Sequence, residues 1–206
     1  MARRPPRAAP PAPRRRLRVI AGSLRGRRLV APVGESVRPT KDIVREAVFS
    51  ALVARGAVED AAVLDLYAGT GALGVEAVSR GAARAVFVER DAAALAAIAQ
   101  NVEQLGLGGR ARIVRLDVAR FLAGPPPPEA PFALVLADPP YDTSDADVGA
   151  LLRALAAPGW LTDDALVTVE RPTRAGRDLL ETFQACWERT FGDTLVFFVD
   201  ASEPPN

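Results

Sequence analysis

The sequence predicts an α/β fold, a mostly parallel sheet with helices on both faces and a closing antiparallel hairpin. Two observations carry this. From about residue 61, short β-prone apolar runs alternate with segments of helical period, the rhythm of a parallel sheet covered on both sides. After the last helical segment the rhythm breaks. Two β-prone runs, 182–190 and 194–199, are then split only by the turn-forming "FGDT".

The elements follow in order. "MARRPPRAAPPAPRRR" (1–16) is Arg- and Pro-rich and cannot pack a core, so it predicts a disordered tail. "LRVIAGSLRGRRLVAP" (17–32) predicts a β-hairpin around a Ser-Leu-Arg-Gly turn. In "RPTKDIVREAVFSALVARG" the residues Ile43, Val44, Ala47, Val48, Ala51 and Leu52 form one helical stripe, with Thr40 as N-cap. Strands are expected at 62–67, 84–89, 111–116, 132–137 and 165–170. Helices are expected at 72–80, 91–105, near 117–123 and at 145–156. The proline run 125–128 reads as a loop. The organisation expected is a tail (1–16), a hairpin-and-helix unit (17–56) and a core (57–203).

Composition narrows the chemistry. The 206 residues suffice for one α/β domain with a small appendage. No apolar run approaches the roughly 18 residues of a membrane span, and the basic N-terminus has no apolar segment behind it. Cys186 is the single cysteine, so no internal disulfide can form and a cytoplasmic protein is expected. The chain has no histidine, which excludes Ser-His catalysis and imidazole metal sites; no metal is expected. The net charge of +1 conceals an asymmetry, because residues 1–28 hold ten arginines and no acid. A basic arm on an acidic body suits a phosphate-rich partner.

The stretch "VLDLYAGTGALGVEA" (63–77) carries Gly69, Gly71 and Gly74 between a strand and a helix. Such a loop lets backbone approach a ligand at a helix N-terminus, outside the carboxyl ends of the strands. Glu89 ends the next strand, where a carboxylate can accept ribose hydroxyls. That much suits a nicotinamide cofactor equally. Asp65, four residues before the first glycine, would repel a pyrophosphate but attract a sulfonium or α-ammonium, which points to S-adenosylmethionine. Its alternative role is a strand-end acceptor for nearby backbone N–H groups. Asp117 ends the third strand, either to bind an adenine amino group or to cap the short helix after it.

"ADPPY" (137–141) follows the fourth strand. Two prolines stiffen this loop and remove two donors, so it presents acceptors. The Asp138 carboxylate and Pro139 carbonyl could hold both hydrogens of an exocyclic amine and aim its lone pair at an electrophilic methyl. The ring of Tyr141 could stack on the base. A conjugated amine becomes acidic once methylated, so positioning and electrostatics can serve in place of a strong base.

Together "VIAGSLRGRRL", "RPTKDIVREAVF", "DLYAGTGALGVEA", "VFVERD" and "ADPPY" resemble the RsmD family of 16S rRNA (guanine-N2)-methyltransferases, over roughly residues 17–200. The resemblance implies a class I S-adenosylmethionine-dependent methyltransferase fold: Rossmann-like, seven-stranded, with an N-terminal β-hairpin. It implies methylation of a small-subunit rRNA guanine, of the guanine-966 type. By position, Asp65, Tyr67, Gly69, Gly71, Glu89, Arg90, Asp117 and Val118 would hold the cofactor, and Asp138, Pro139, Pro140 and Tyr141 the target base. Arg38, Thr40, Arg45 and Glu46 match a segment that closes over cofactor and substrate, with Thr40 on the cofactor and Arg38 on RNA. Hairpin residues Arg18, Arg25, Arg27 and Arg28 would meet RNA. Ile43 and Ser50 depart from the family, which commonly has arginine and asparagine there. A monomer acting on 16S rRNA in the subunit or its assembly intermediate is expected. The competing readings are an adenine-N6 DNA or glutamine-amide methyltransferase, a non-catalytic RNA-binding protein, and an NAD-dependent oxidoreductase.

Overall fold

The computed structural model describes residues 17–32 and 39–201, with all of their side chains except those of 39 and 40. The expectations for residues 1–16, for Arg38 and for residues 202 and 203 lie outside the described residues.

The apolar runs form strands β1 (Ala62–Leu66), β2 (Arg84–Glu89), β3 (Ala111–Arg115), β4 (Phe132–Ala137) and β5 (Leu161–Pro172). Two more, β6 (Trp187–Phe191) and β7 (Thr194–Asp200), make the closing hairpin. The seven lie in the order β3-β2-β1-β4-β5-β7-β6, and β7 runs antiparallel to both of its neighbours. Leu64 pairs with Val86 on one side and with Val135 on the other, so β1 is central. The chain moves outward from β1 through β2 to β3, then returns to β4 on the opposite side. Such a reversal leaves a crevice at the carboxyl ends of β1 and β4.

Strand alternation sorts the core into two layers. Val63 packs with Phe49, Val75, Phe87 and Ile98, beneath α1 (Pro39–Ala54), α2 (Ala72–Ser79) and α3 (Ala92–Gln104). Leu64 and Leu66 pack with Phe121, Leu152 and Trp160, beneath α4 (Val118–Leu122), α5 (Asp145–Leu155) and α6 (Arg177–Thr182). The caps are local: Asp91 accepts from Ala94 N, and Ser144 from Asp147 N.

Several expectations change. α1 begins at Pro39, which puts Thr40 inside the first turn instead of at the cap. Ile43 is 60% exposed, and Phe49 takes its place in the core, because the buried stripe runs through Val44, Val48 and Leu52. The first closing strand starts at Trp187, since residues 177–182 form α6. β5 is longer than expected. Its ladder jumps from Phe132↔Leu161 to Leu134↔Leu166, so the polar "TDD" segment bulges rather than alternating.

The N-terminal hairpin is a tight loop with one bridge, Arg18↔Arg28, rather than a ladder. Val19 N donates to Arg27 O and Leu29 N to Leu17 O, both at 2.9 Å. Core side chains hold it in place. The buried Glu76 carboxylate accepts from Ile20 N (2.8 Å) and Ala21 N (3.0 Å). The Asn101 amide accepts from Val30 N (2.7 Å) and donates to Val30 O (3.0 Å) and Thr70 O (2.9 Å).

Candidate active site

The crevice is a cavity of about 530 Å³, a size suited to a small-molecule ligand. Its floor is the glycine loop. Tyr67 (φ 57), Gly69 (φ 55) and Gly71 (φ 75) all take the left-handed backbone region, turning the chain sharply from β1 into α2. Tyr67 and Gly69 line the cavity, whereas Gly71 lies beneath it. A Cβ on Gly71 would stand 3.3 Å from the Phe87 ring, and one on Gly74 only 2.4 Å from it. These two glycines serve the packing of α2 on β2.

Asp65 is also beneath the loop, 1% exposed and outside the cavity lining. Its Oδ2 accepts from Gly74 N at 2.8 Å, and its Oδ1 has no partner among the described residues. Burial holds its carboxyl well above the ordinary range, and the charges of Asp138 and Glu89 add to this. The structure therefore gives Asp65 its alternative role, an acceptor that ties the strand end to the helix.

Glu89 reaches the cavity already bonded. Its Oε2 accepts from Gly69 N (2.9 Å), and its Oε1 accepts from Arg90 N (2.7 Å) and Asp91 N (2.8 Å). A carboxylate offers about four acceptor directions, so one on Oε2 is left to face the cavity. Asp117 caps α4, its Oδ1 accepting from Ala119 N (3.1 Å), and the residue also lines the cavity. Its Oδ2 pairs with Arg90 Nη1 at 3.1 Å, and Val118 adds apolar wall beside it.

Asp138, Pro139, Pro140 and Tyr141 line the opposite wall. Tyr141 is 52% exposed at the mouth, an open aromatic face. Burial pushes Asp138 up, and the Lys41 ammonium, 3.6 Å from Oδ2, pulls it back. Lys41, Arg45 and Glu170 also line the cavity, and the sequence reading assigned no cavity role to Lys41 or Glu170. Arg45 is buried, donating from Nη2 to Arg18 O (2.8 Å) and Asp42 Oδ1 (3.0 Å). Glu170 lies two residues before the end of β5, and its place just after the apolar run, in "VERP", is the signal that could have found it.

Arg18, Arg25, Arg27 and Arg28 are exposed and do not line the cavity. The hairpin's base does, through Leu17 and Ala31, whereas its tip, where Leu24 N donates to Ser79 Oγ at 3.0 Å, lies at the C-terminal end of α2. Arg27 Nη2 is spent on Gln104 O at 2.8 Å. The side chain of Thr40 lies outside what is described.

Four carboxylates, Glu89, Asp117, Asp138 and Glu170, thus face a cavity that a polyphosphate would have to enter. Their chemistry favours a cationic or amine-bearing ligand instead. Comparisons with known proteins agree. A family pattern described as "Conserved hypothetical protein 95" matches residues 17–200. The Ribosomal RNA small subunit methyltransferase D of Escherichia coli strain K12 is 38% identical over 171 residues, 83% of this chain and 81% of that one. An Escherichia coli structure named "Putative methyltransferase yhhF" superposes with a TM-score of 0.76 at 32% identity, covering 92% of this chain and 99% of that one. The T. thermophilus 16S rRNA N2 G1207 methyltransferase, in complex with AdoMet and guanosine, gives 0.66 at 26% identity, covering 94% of this chain and 53% of that one. The fold is that of the class I methyltransferases, and the chain belongs to the RsmD family of ribosomal RNA small subunit methyltransferases.

Proposed function

We propose that this protein methylates the exocyclic N2 amine of a guanine in 16S rRNA, with S-adenosylmethionine as methyl donor. The observation that supports it best is that one cavity holds both the glycine loop with Glu89 and the acceptor-rich Asp138–Tyr141 loop. The residues fit the cofactor: Glu89 keeps an acceptor direction for a ribose, Gly69 offers backbone without a side chain, and the wall carries carboxylates for cationic groups. When bound, S-adenosylmethionine supplies a methyl group on a sulfonium centre, open to attack by an amine. Asp138 and the Pro139 carbonyl accept the two amine hydrogens, which directs the nitrogen lone pair toward the glycine loop. Asp138 can take the proton that a methylated, conjugated amine releases. Tyr141 stacks on the base, and Lys41 steadies the Asp138 charge.

The hairpin-and-helix unit contributes the RNA-facing side, with Arg18, Arg25, Arg27 and Arg28 on phosphates. Each such contact adds about −0.7 to the salt slope on single-stranded RNA. Neutralising the hairpin arginines should flatten that slope and lower turnover on ribosomal substrate, whereas deleting residues 1–16 should weaken binding modestly. The same reading has a cytoplasmic monomer working on the subunit or its assembly intermediate. The deciding experiment offers methyl-labelled S-adenosylmethionine to small subunits and to naked 16S rRNA, then maps the modified base. Label on guanine N2 is expected. Label on an adenine, or only on DNA or protein, overturns the assignment.

A further inference from the structure

We propose that Glu170 selects guanine by accepting the N1–H of the target base, next to the N2 amine held by Asp138; this rests on the guanine reading above. The sheet brings the two acids together. β4 and β5 are parallel neighbours with Ala137 opposite Val169, so the next step along each chain sets Asp138 and Glu170 side by side, just past the end of β4 and two residues before the end of β5. Both line the main cavity, and both line a smaller one that shares Lys41, Pro139 and Tyr141 with it.

The base edge explains the pairing. Guanine presents two adjacent donor groups, N1–H and the N2 amine. Adenine presents a donor amine beside an N1 acceptor, whose lone pair would face the Glu170 oxygens. An amine-holding Asp138 alone accepts either base; a second acid beside it favours guanine, which can engage both of its oxygens, whereas adenine N1 can take only the O–H of the acid form. Sites that hydrogen-bond a substrate group reject analogues lacking it far more strongly than apolar pockets reject size differences. Burial, and the negative charge of Asp138, hold Glu170 up to about 8, with Lys41 and Arg45 opposing and Asp65 adding a little. Near neutrality it therefore keeps a proton. The acid form still accepts N1–H through its carbonyl oxygen, and its O–H can donate to O6, a group adenine lacks.

The test is a cycle between enzyme and substrate, using reconstituted small subunits with 2-aminopurine at the target position. That base keeps the N2 amine and lacks both N1–H and O6. Methyl transfer (kcat/KM) is measured for wild type and Glu170→Ala on both bases, with S-adenosylmethionine affinity measured by calorimetry. Each single change should cost about tenfold or more, and the two together no more than either alone, with cofactor affinity unchanged. Glu170→Gln, which keeps a carbonyl acceptor and a donor, should restore guanine turnover toward wild type. Additive losses, a cofactor defect in Glu170→Ala, or no rescue by Glu170→Gln would overturn the proposal while guanine methylation by wild type stands. The 2-aminopurine arm uses wild-type enzyme, so a variant that fails to fold leaves a decisive measurement: undiminished transfer to 2-aminopurine refutes the role. Wild type that places no methyl on guanine N2 overturns both readings.

Discussion

Replacing Glu89 by alanine should weaken S-adenosylmethionine binding by about 10- to 150-fold. The side chain accepts three backbone N–H groups, from Gly69, Arg90 and Asp91, and keeps one acceptor direction for the ribose. A hydrogen bond to a charged acceptor contributes about 1.5–3 kcal/mol, which converts to that range of Kd. Losing the Gly69 contact also releases the loop on which the ligand lies, so the upper half of the range is expected. Glu89→Gln separates the two effects. Its amide oxygen can keep Arg90 N and Asp91 N, but its NH₂ then faces Gly69 N, donor against donor. The ribose can still be met, because its hydroxyls accept as well as donate. The glutamine variant should therefore fall between wild type and alanine. Calorimetry with S-adenosylmethionine, on protein shown to be folded by circular dichroism, reads the difference. Unchanged affinity in Glu89→Ala, or a glutamine variant weaker than alanine, would refute the reasoning.

Asp138→Ala should bind S-adenosylmethionine almost as wild type does while turnover falls by roughly 10²-fold or more, as for loss of a transition-state acceptor; near-normal turnover in single-turnover assays would count against amine holding. Because the folded protein holds the Glu170 proton up to about 8 against an ordinary 4.5, the wild type loses stability as pH rises across that window. Glutamine does not ionise, so the melting-temperature advantage of Glu170→Gln should grow from pH 4.5 to pH 8 and then level; a difference that is flat with pH would contradict it. Gly74→Ala would set a Cβ 2.4 Å from the buried Phe87 ring and 3.0 Å from Asp65 Oδ2. Overpacking costs about 1–3 kcal/mol, only partly offset by about 1 kcal/mol of helix propensity, so thermal melting should show a loss of a few degrees.

The strand-end residues were legible because an α/β sheet turns sequence into place: Glu89, Asp117 and Asp138 each follow an apolar run and so arrive at one edge. Asp65 shows the limit of that logic. Its position at the end of β1 could be read, but its burial under α2 follows from Gly74 packing against Phe87, a contact between distant segments. Lys41 was missed for a similar reason, since only the docking of α1 on the sheet carries its side chain to Asp138. Ile43 and Phe49 fit neighbouring helical stripes, and the choice between them depends on how α1 is rotated against the core. α6, six residues long, is too short for a period to declare itself.

Asn101 and Glu76 have a consequence for how this architecture can change. Both are fully buried, and both use core helices to hold the backbone of the hairpin. Removing the hairpin would leave the Glu76 carboxylate with Arg80 but without its two amide donors, and would strip Asn101 of Val30 while it still carries Thr70 of the glycine loop. A buried polar group deprived of its partner costs about 1–3 kcal/mol, and more when charged. The arm is therefore no detachable accessory that could be swapped for another. Variation in what it grips must be matched in α2 and α3, so the surface beside the cavity mouth and the floor beneath it are bound to diverge together.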